Sequence, residues 1–254
     1  MSDETTGSAP DADEHMGDGQ VDDATDGGDT VDDLIRVRRA AHRAVYDRST
    51  IDAIIDEALI AHVGTVRDGV PVVIPMFAVR DGDDLLLHGA PAAGVLRRGS
   101  GSAAGAATIT STVVCATLTL LDGLVLARSA FHHSMNYRSV VIIGEATEVT
   151  EPTEKERALD AFTERLVPGR LDDLRPMTDK EVRGTSVLRL PLDRASAKVR
   201  DGWPIDDEED ESLPIWAGVV PVARRFDPPL DDPKNLDGVV APDSVVALAS
   251  DPAS

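Results

Sequence analysis

Between His62 and Leu192 the chain is cut into short apolar runs by turn residues about every 8–12 positions, the rhythm of an antiparallel β protein. Val63–Val66 ends at Arg67-Asp68-Gly69, a hairpin signal, and Pro71–Arg80 reads as the returning strand. Asp81-Gly82-Asp83 is a second turn leading into Leu85-Leu86-Leu87-His88. A β-rich run from Thr112 to Leu121, a turn at Asp122-Gly123 and a strand from Leu124 to Ser129 follow. Further strands are expected from about Tyr137 to Val149 and over Ser186–Leu192. Two modest helices flank them. One is capped by Ser49 or Thr50 and carries Ile51, Ile54, Ile55, Ala58 and Leu59 on one face. The other starts at Thr153 with Glu156 as capping-box partner, buries Ala158, Leu159, Phe162 and Leu166, and stops at Pro168-Gly169. Thr178 and Glu181 open a shorter helical turn. This inventory predicts a mainly β fold, a small antiparallel β-barrel with flanking helices. Pro75 inside a strand removes a ladder donor and marks an edge, a bulge, or backbone turned toward a ligand.

Charge divides the chain into three parts. Residues 1–33 hold twelve acids and no Lys or Arg, residues 227–254 hold six acids and one Lys, and residues 34–226 hold 28 acids against 24 bases. A leader so acidic and so poor in apolar residues buries too little surface to offset its ordering entropy. Residues 1–33 are therefore expected to be disordered, as a solubilising tail or an interaction arm, and residues 227–254 are expected to form an acidic, disordered tail. The folded domain is expected over 34–226. A net charge of −21 repels phosphate backbones and argues against nucleic-acid binding. No apolar run reaches the roughly 20 residues of a membrane span, and the N-terminus lacks a basic-then-apolar signal. The single cysteine, Cys115, fits a reducing cytoplasm.

Familiar catalytic signatures are missing. His132, His133 and Ser134 are adjacent, the wrong geometry for a relay, and no Gly-x-Ser-x-Gly elbow is present. His42, His62, His88, His132 and His133 lack i,i+4 or Cys-x-x-Cys companions, so no metal site is expected. Neither a phosphate-cradling Gly-x-x-x-x-Gly-Lys nor a dinucleotide fingerprint occurs. The dense polar stretch over 126–140 remains, with Arg128, His132, His133, Asn136 and Arg138 between two β runs. It reads either as a solvated loop or as a site for an anionic or planar polar ligand, since charged groups are rarely buried unpaired. His88 at a strand end reads either as a hydrogen-bonded core residue or as a functional one.

The order Pro71-Val-Val-Ile-Pro-Met-Phe, then Leu85-Leu-Leu-His-Gly-Ala, then Asn136-Tyr-Arg-Ser-Val-Val-Ile-Ile-Gly144 resembles the pyridoxamine 5'-phosphate oxidase-like, FMN-binding split-barrel superfamily, in its flavin-nucleotide-binding, nitroimidazole-reductase (Nim-type) related branch. Val167-Pro-Gly-Arg170, Arg183-Gly-Thr-Ser-Val187, Ala195–Pro204 and Trp216-Ala-Gly218 extend the likeness over roughly residues 38–224. The resemblance implies a cytoplasmic homodimer of antiparallel split barrels, a flavoprotein with FMN in clefts between the subunits and oxidoreductase activity on a small-molecule substrate. Carried over residue by residue, Ile74, Pro75, Met76 and Phe77 line the isoalloxazine. His88, Gly89, Ala90 and Gly94 approach the ribityl chain and phosphate. Arg138 and Ser139 come from across the dimer, with Arg128 and Asn136 nearby. His88 is the implied catalytic residue, donating a proton or orienting substrate. The sequence departs from oxidase relatives where Ala93-Gly94 replaces an adjacent Arg-Lys that grips the phosphate, leaving Arg97, Arg98, Arg128 and Arg138 as the nearby cations. The Gly/Ser/Ala run at 99–106 interrupts the link to the next strand. The C-terminal signature of true pyridoxamine phosphate oxidases is absent, so that reaction is not implied. The alternatives are a non-catalytic flavin-binding module and a barrel holding haem, with His88, His132 or His133 as axial ligand, or a deazaflavin.

Overall fold

The computed structural model describes residues 33–67, 69–89 and 111–250, all within one unit spanning residues 32–254. Residues 1–32, Ala90, Gly94, Arg97, Arg98 and the run at 99–106 lie outside the described residues. A two-residue strand, β1 (Ala44–Val45), precedes helix α1 (Arg48–Glu57). Asp47 caps α1 through its carboxylate, which accepts the Thr50 N–H at 2.9 Å, while the Ser49 hydroxyl donates to the same oxygen at 2.7 Å. The cap thus lies ahead of the expected Ser49 or Thr50, because a carboxylate at that position serves both. Ile51, Ile54, Ile55 and Ala58 form the buried stripe.

Strands β2 (Ile60–Arg67), β3 (Val70–Asp81) and β4 (Asp84–Gly89) form the expected meander. Gly69 and Gly82, at φ +78° and +60°, supply the left-handed turn positions. Strands β5 (Ser111–Leu126) and β6 (Ser134–Glu148) form a long hairpin. Asp122-Gly123, read from the sequence as a turn, is instead a bulge inside the continuous β5, where the register shifts between Leu121 and Gly123. Helix α2 (Pro152–Leu166) and short helix α3 (Asp179–Arg183) follow, then β7 (Ser186–Pro191) and β8 (Ala195–Arg200). Glu151 caps α2, two residues before the expected Thr153, with Pro152 in the first turn. The Thr178/Glu181 capping box on α3 is present in full. Strand β9 (Gly218–Pro221) and helix α4 (Asp243–Ser250) complete the described chain. The C-terminal stretch read as a tail thus carries a helix, whose Ser244 hydroxyl donates to Asp173 at 2.9 Å.

All pairings are antiparallel, and those in the order β2-β3-β4-β7-β6-β5 return to β2 through β2–β5 contacts at His62, Val63 and Gly64. Outside this circuit, β8 and then β1 extend the middle of β6, and β9 extends β5 beside the bulge. Gly123 permits that contact, since a Cβ there would sit 3.0 Å from Val219 Cγ1 and 3.2 Å from the Val220 carbonyl.

Leu85-Leu86-Leu87 is uninterrupted because β4 is covered on both faces. Leu85 and Leu87 join Ile54, Ile55, Leu118 and Ile142 in one core, while Leu86 joins Val79 and Val187 beneath Leu159 and Phe162 of α2. Leu87 is fully buried. Leu87→Ala should lower unfolding free energy by about 2–5 kcal/mol, from lost transfer energy and the cavity left behind. Urea denaturation checks this, and a loss below about 1 kcal/mol would place Leu87 outside a close-packed core.

Candidate functional site

The residues singled out from the sequence fall into two groups on different parts of the sheet. The first lies where β3 outruns β4. Strand β4 pairs with β3 only from Phe77↔His88 to Asp81↔Asp84, whereas β2 pairs with β3 along Val70–Phe77. Among the described residues, the other edge of Val70–Met76 therefore has no strand partner. Pro75 sits in this edge segment opposite His62, where a missing N–H is tolerated. Ile74 packs against the inner core, Met76 is buried in it, and Phe77 faces the α2 side.

His88 lies between Phe77 on β3 and Val187 on β7. Its ring centroid is 5.3 Å from that of Phe162, which is also 5.4 Å from Phe77. Gly89 ends the strand opposite Ser186. Neither His88 nitrogen makes a hydrogen bond among the described residues. Burial holds the imidazole below the usual histidine range, so it is neutral at pH 7 and keeps both a donor and a free lone pair. Of the two sequence readings, the hydrogen-bonded core histidine does not describe this half-buried, unbonded ring. Phe162 was legible only as part of a helix stripe; its contact with His88 needs the tertiary packing.

The second group lies on β6 and its preceding loop. Arg138 is clamped by two carboxylates: Nε donates to Asp122 Oδ2 at 3.0 Å and Nη2 to Asp122 Oδ1 at 2.7 Å. Nη2 also donates to Glu57 Oε1 at 2.9 Å, and Nη1 to Glu57 Oε2 at 2.5 Å. These carboxylates raise the Arg138 pKa far above its ordinary value and neutralise its charge within the chain. The bulge at Gly123 is what presents Asp122 to it. Ser139 Oγ donates to the Lys198 carbonyl at 3.4 Å. Buried Asn136 accepts from Arg200 Nη1, whose guanidinium also donates to the Gly202 and Trp203 carbonyls at 3.3 and 3.2 Å.

Arg128 holds Asp206 through its backbone N–H at 2.7 Å and Nη1 at 2.8 Å. Desolvation works against the Asp206 carboxylate, but these hydrogen bonds prevail and keep it below the usual range. The polar stretch over 126–140 divides between the β5–β6 connection, which contains a 3-10 turn over Ala130–His132, and the first residues of β6, which carry Asn136 and Arg138. His133 Nδ1 lies 2.8 Å from the Ser129 carbonyl, an acceptor, so Nδ1 carries the proton and Nε2 keeps its lone pair. His132 Nδ1 meets Ser129 Oγ at 2.9 Å. Among the described residues, His132, Asp206 and Asp210 place ligand atoms within 4.8 Å of one another, although Arg128 already occupies Asp206. Glu57, Asp122, Arg200 and Asp206 escaped the sequence reading. Asp122 looked like a turn residue, and Asp206 stands at the head of an undifferentiated acidic run.

Among the described residues no hydrogen bond or ion pair joins the two groups. Strand β7 carries Val187 beside His88 and pairs with β6 only at Thr147 and Glu148. Round the other side of the circuit Pro75 pairs with His62, His62 with Thr117 and Thr117 with Val141, which places Ser139 three strands and two residues from Pro75.

Residues 47–199 match the model of the pyridoxamine 5'-phosphate oxidase family. The chain belongs to this family, and the closed antiparallel circuit is its split-barrel fold. A structure of the flavocytochrome Anf3 from Azotobacter vinelandii is 38% identical, with 87% of this chain and 99% of that one covered and a TM-score of 0.78. A structure of an FAD- and haem-binding protein from Mycobacterium smegmatis is 34% identical, covering 82% of this chain and 97% of that one with a TM-score of 0.71. Among curated proteins none matches the chain.

The depressed His88 pKa has a direct consequence. Unfolded histidine takes up its proton near 6.5, whereas folded His88 does so only at lower pH. Between those values the unfolded state binds more protons, so stability rises with pH. The contribution is complete above about 6.5 and is lost as pH falls through the folded value. His88→Gln should flatten the fall in melting temperature between about pH 7 and pH 5. An unchanged slope would mean that His88 titrates as a solvated histidine.

Proposed function

We propose that the protein is a cytoplasmic, homodimeric flavin-binding redox protein acting on a small molecule. The observation that carries this reading is the edge of β3 at Val70–Met76, which among the described residues has no strand partner and ends beside an imidazole with no hydrogen-bond partner. A planar ring with polar edges fits such an edge, because its carbonyl and N–H groups pair with the backbone donors and acceptors that no strand takes. Ile74, Pro75, Met76 and Phe77 then supply the apolar wall, and Gly89, with Ala90 and Gly94 beyond it, permits close approach of the ribityl chain. His88 holds a donor at the ring's margin and is the group to move a proton to or from substrate. Flavin supplies the hydride or electron transfer. Its expected form is FMN.

The homodimer is the form the family likeness supports, with Arg138 and Ser139 of a second copy brought to the flavin edge of the first. Strongly exposed apolar side chains, among them Val73, Val113, Phe131 and Met135, supply surface for such an interface. The single cysteine, unpaired, accords with a reducing compartment. The charge of −21 opposes nucleic-acid binding, and no helix among the described residues is long and apolar enough to cross a membrane.

A second reading, flavin together with haem, is favoured by the likeness to the flavocytochrome and to the FAD- and haem-binding protein. It also favours FAD over FMN. His133 has the form of an axial ligand, its Nδ1 proton held by a carbonyl and Nε2 free. His88 is the other candidate.

The test is the absorption spectrum of the purified protein, with chromatographic identification of any released chromophore. Flavin bands with released FMN are expected; released FAD and a Soret band would select the second reading. A colourless protein that takes up neither flavin nor haem would refute both.

A further inference from the structure

A cleft of about 790 Å³ opens on the side of the fold formed by the end of α1, the β5 bulge, the end of α2, the segment after β9 and helix α4. None of Ile74–Phe77, His88 or Gly89 lines it, and neither does any histidine, although Arg138, which the dimeric flavin reading also uses, is part of its lining. Leu59, Leu120, Leu166, Val222, Phe226 and Leu248 form apolar walls. Its charged lining is Glu57, Asp122, Arg138, Arg165 and Arg224.

The pairing of these charges is uneven. Both carboxylates are held by Arg138. Asp56, the next acid on α1, is held by Arg80 through two hydrogen bonds. Arg165 and Arg224 are left with no carboxylate ion pair among the described residues. Each donates one hydrogen bond to a main-chain carbonyl at the end of α1, Arg165 to Asp56 and Arg224 to Glu57. Burial and then the nearby Arg224 disfavour the charged form of Arg165, and the smaller attractions of Asp56 and Glu57 do not offset them. Two neighbouring guanidinium groups that line an apolar cleft without a carboxylate ion pair are stabilised by an anion beside them. Their remaining N–H groups match a carboxylate head.

We propose that this cleft binds a small amphipathic carboxylate, its acidic head on Arg165 and Arg224 and its apolar body between α4 and the walls of β5 and α2. The volume suits a drug-sized or long-chain molecule. The proposed contacts, Arg165 and Arg224, take no part in the flavin reading, while Arg138 is common to both.

The test uses the full-length protein and two fluorescent probes, 11-(dansylamino)undecanoic acid and its methyl ester. Wild type should bind the acid at least about tenfold more tightly than the ester, the usual weight of one charge-assisted contact. Arg165→Gln with Arg224→Gln should abolish that preference while leaving ester affinity in place. Ala247→Trp, which adds bulk on the α4 wall of the cleft and keeps both arginines, should weaken both probes with the melting temperature preserved. Should the double variant fail to fold, Ala247→Trp together with the wild-type acid-to-ester ratio decides. Equal affinity for acid and ester, binding unaffected by the substitutions, no binding at all, or stoichiometric displacement by FMN or FAD would each overturn the proposal.

Discussion

Closure of the sheet depends on the β5–β6 hairpin, whose two strands are longer than any one partner needs. Strand β5 meets β2 at Gly64 and β9 at Gly123, and β6 meets β7 at one end and β8 along its middle. Shorter strands would close the circuit or carry the outer extensions, not both. With both in place, every inner-face residue from Ala61 to Ala197 faces a common apolar interior, into which α1 inserts its isoleucines. Full closure also disposes of most open sheet edges, and among the described residues the long segment of β3 is a conspicuous exception.

Among the described residues, β4 runs only from Asp84 to Gly89 and does not accompany β3 back to Val70. The Arg138 clamp ties α1, the β5 bulge and β6 together, so within one chain its guanidinium already has anions to satisfy it. A dimer site that uses Arg138 must compete with Glu57 and Asp122 or share the group with them. Arg165 and Arg224 stand in contrast, with main-chain carbonyls as their only hydrogen-bond acceptors among the described residues.

The fold was largely legible because each signal was local. Gly69 and Gly82 mark turns that only their φ values allow, and the alternation in β3 and the stripe of α2 expose their buried faces. Errors arose where one local signal has two outcomes. Asp-Gly at 122–123 is equally a turn or a bulge, and only the continuous pairing with Asn136 and Met135 decides. Caps were displaced because Asp47 and Glu151 act from just outside the expected helices. The site was legible as single residues, not as an arrangement. Nothing local in Phe162, Glu57 or Arg224 says which side chain each will meet, since those contacts join segments about 75–170 positions apart in the chain.

The central claim is that the free edge of β3 beside His88 receives the flavin. Hydrogen–deuterium exchange of the full-length protein, stripped of chromophore and then measured with and without added FMN or FAD, tests it directly. The account predicts that flavin slows exchange at Val72, Val73, Ile74 and Met76 and along β4 to Gly89, with the central β5–β6 pairing unaffected. Unchanged exchange along β3, with protection confined to the α4 cleft, would contradict it.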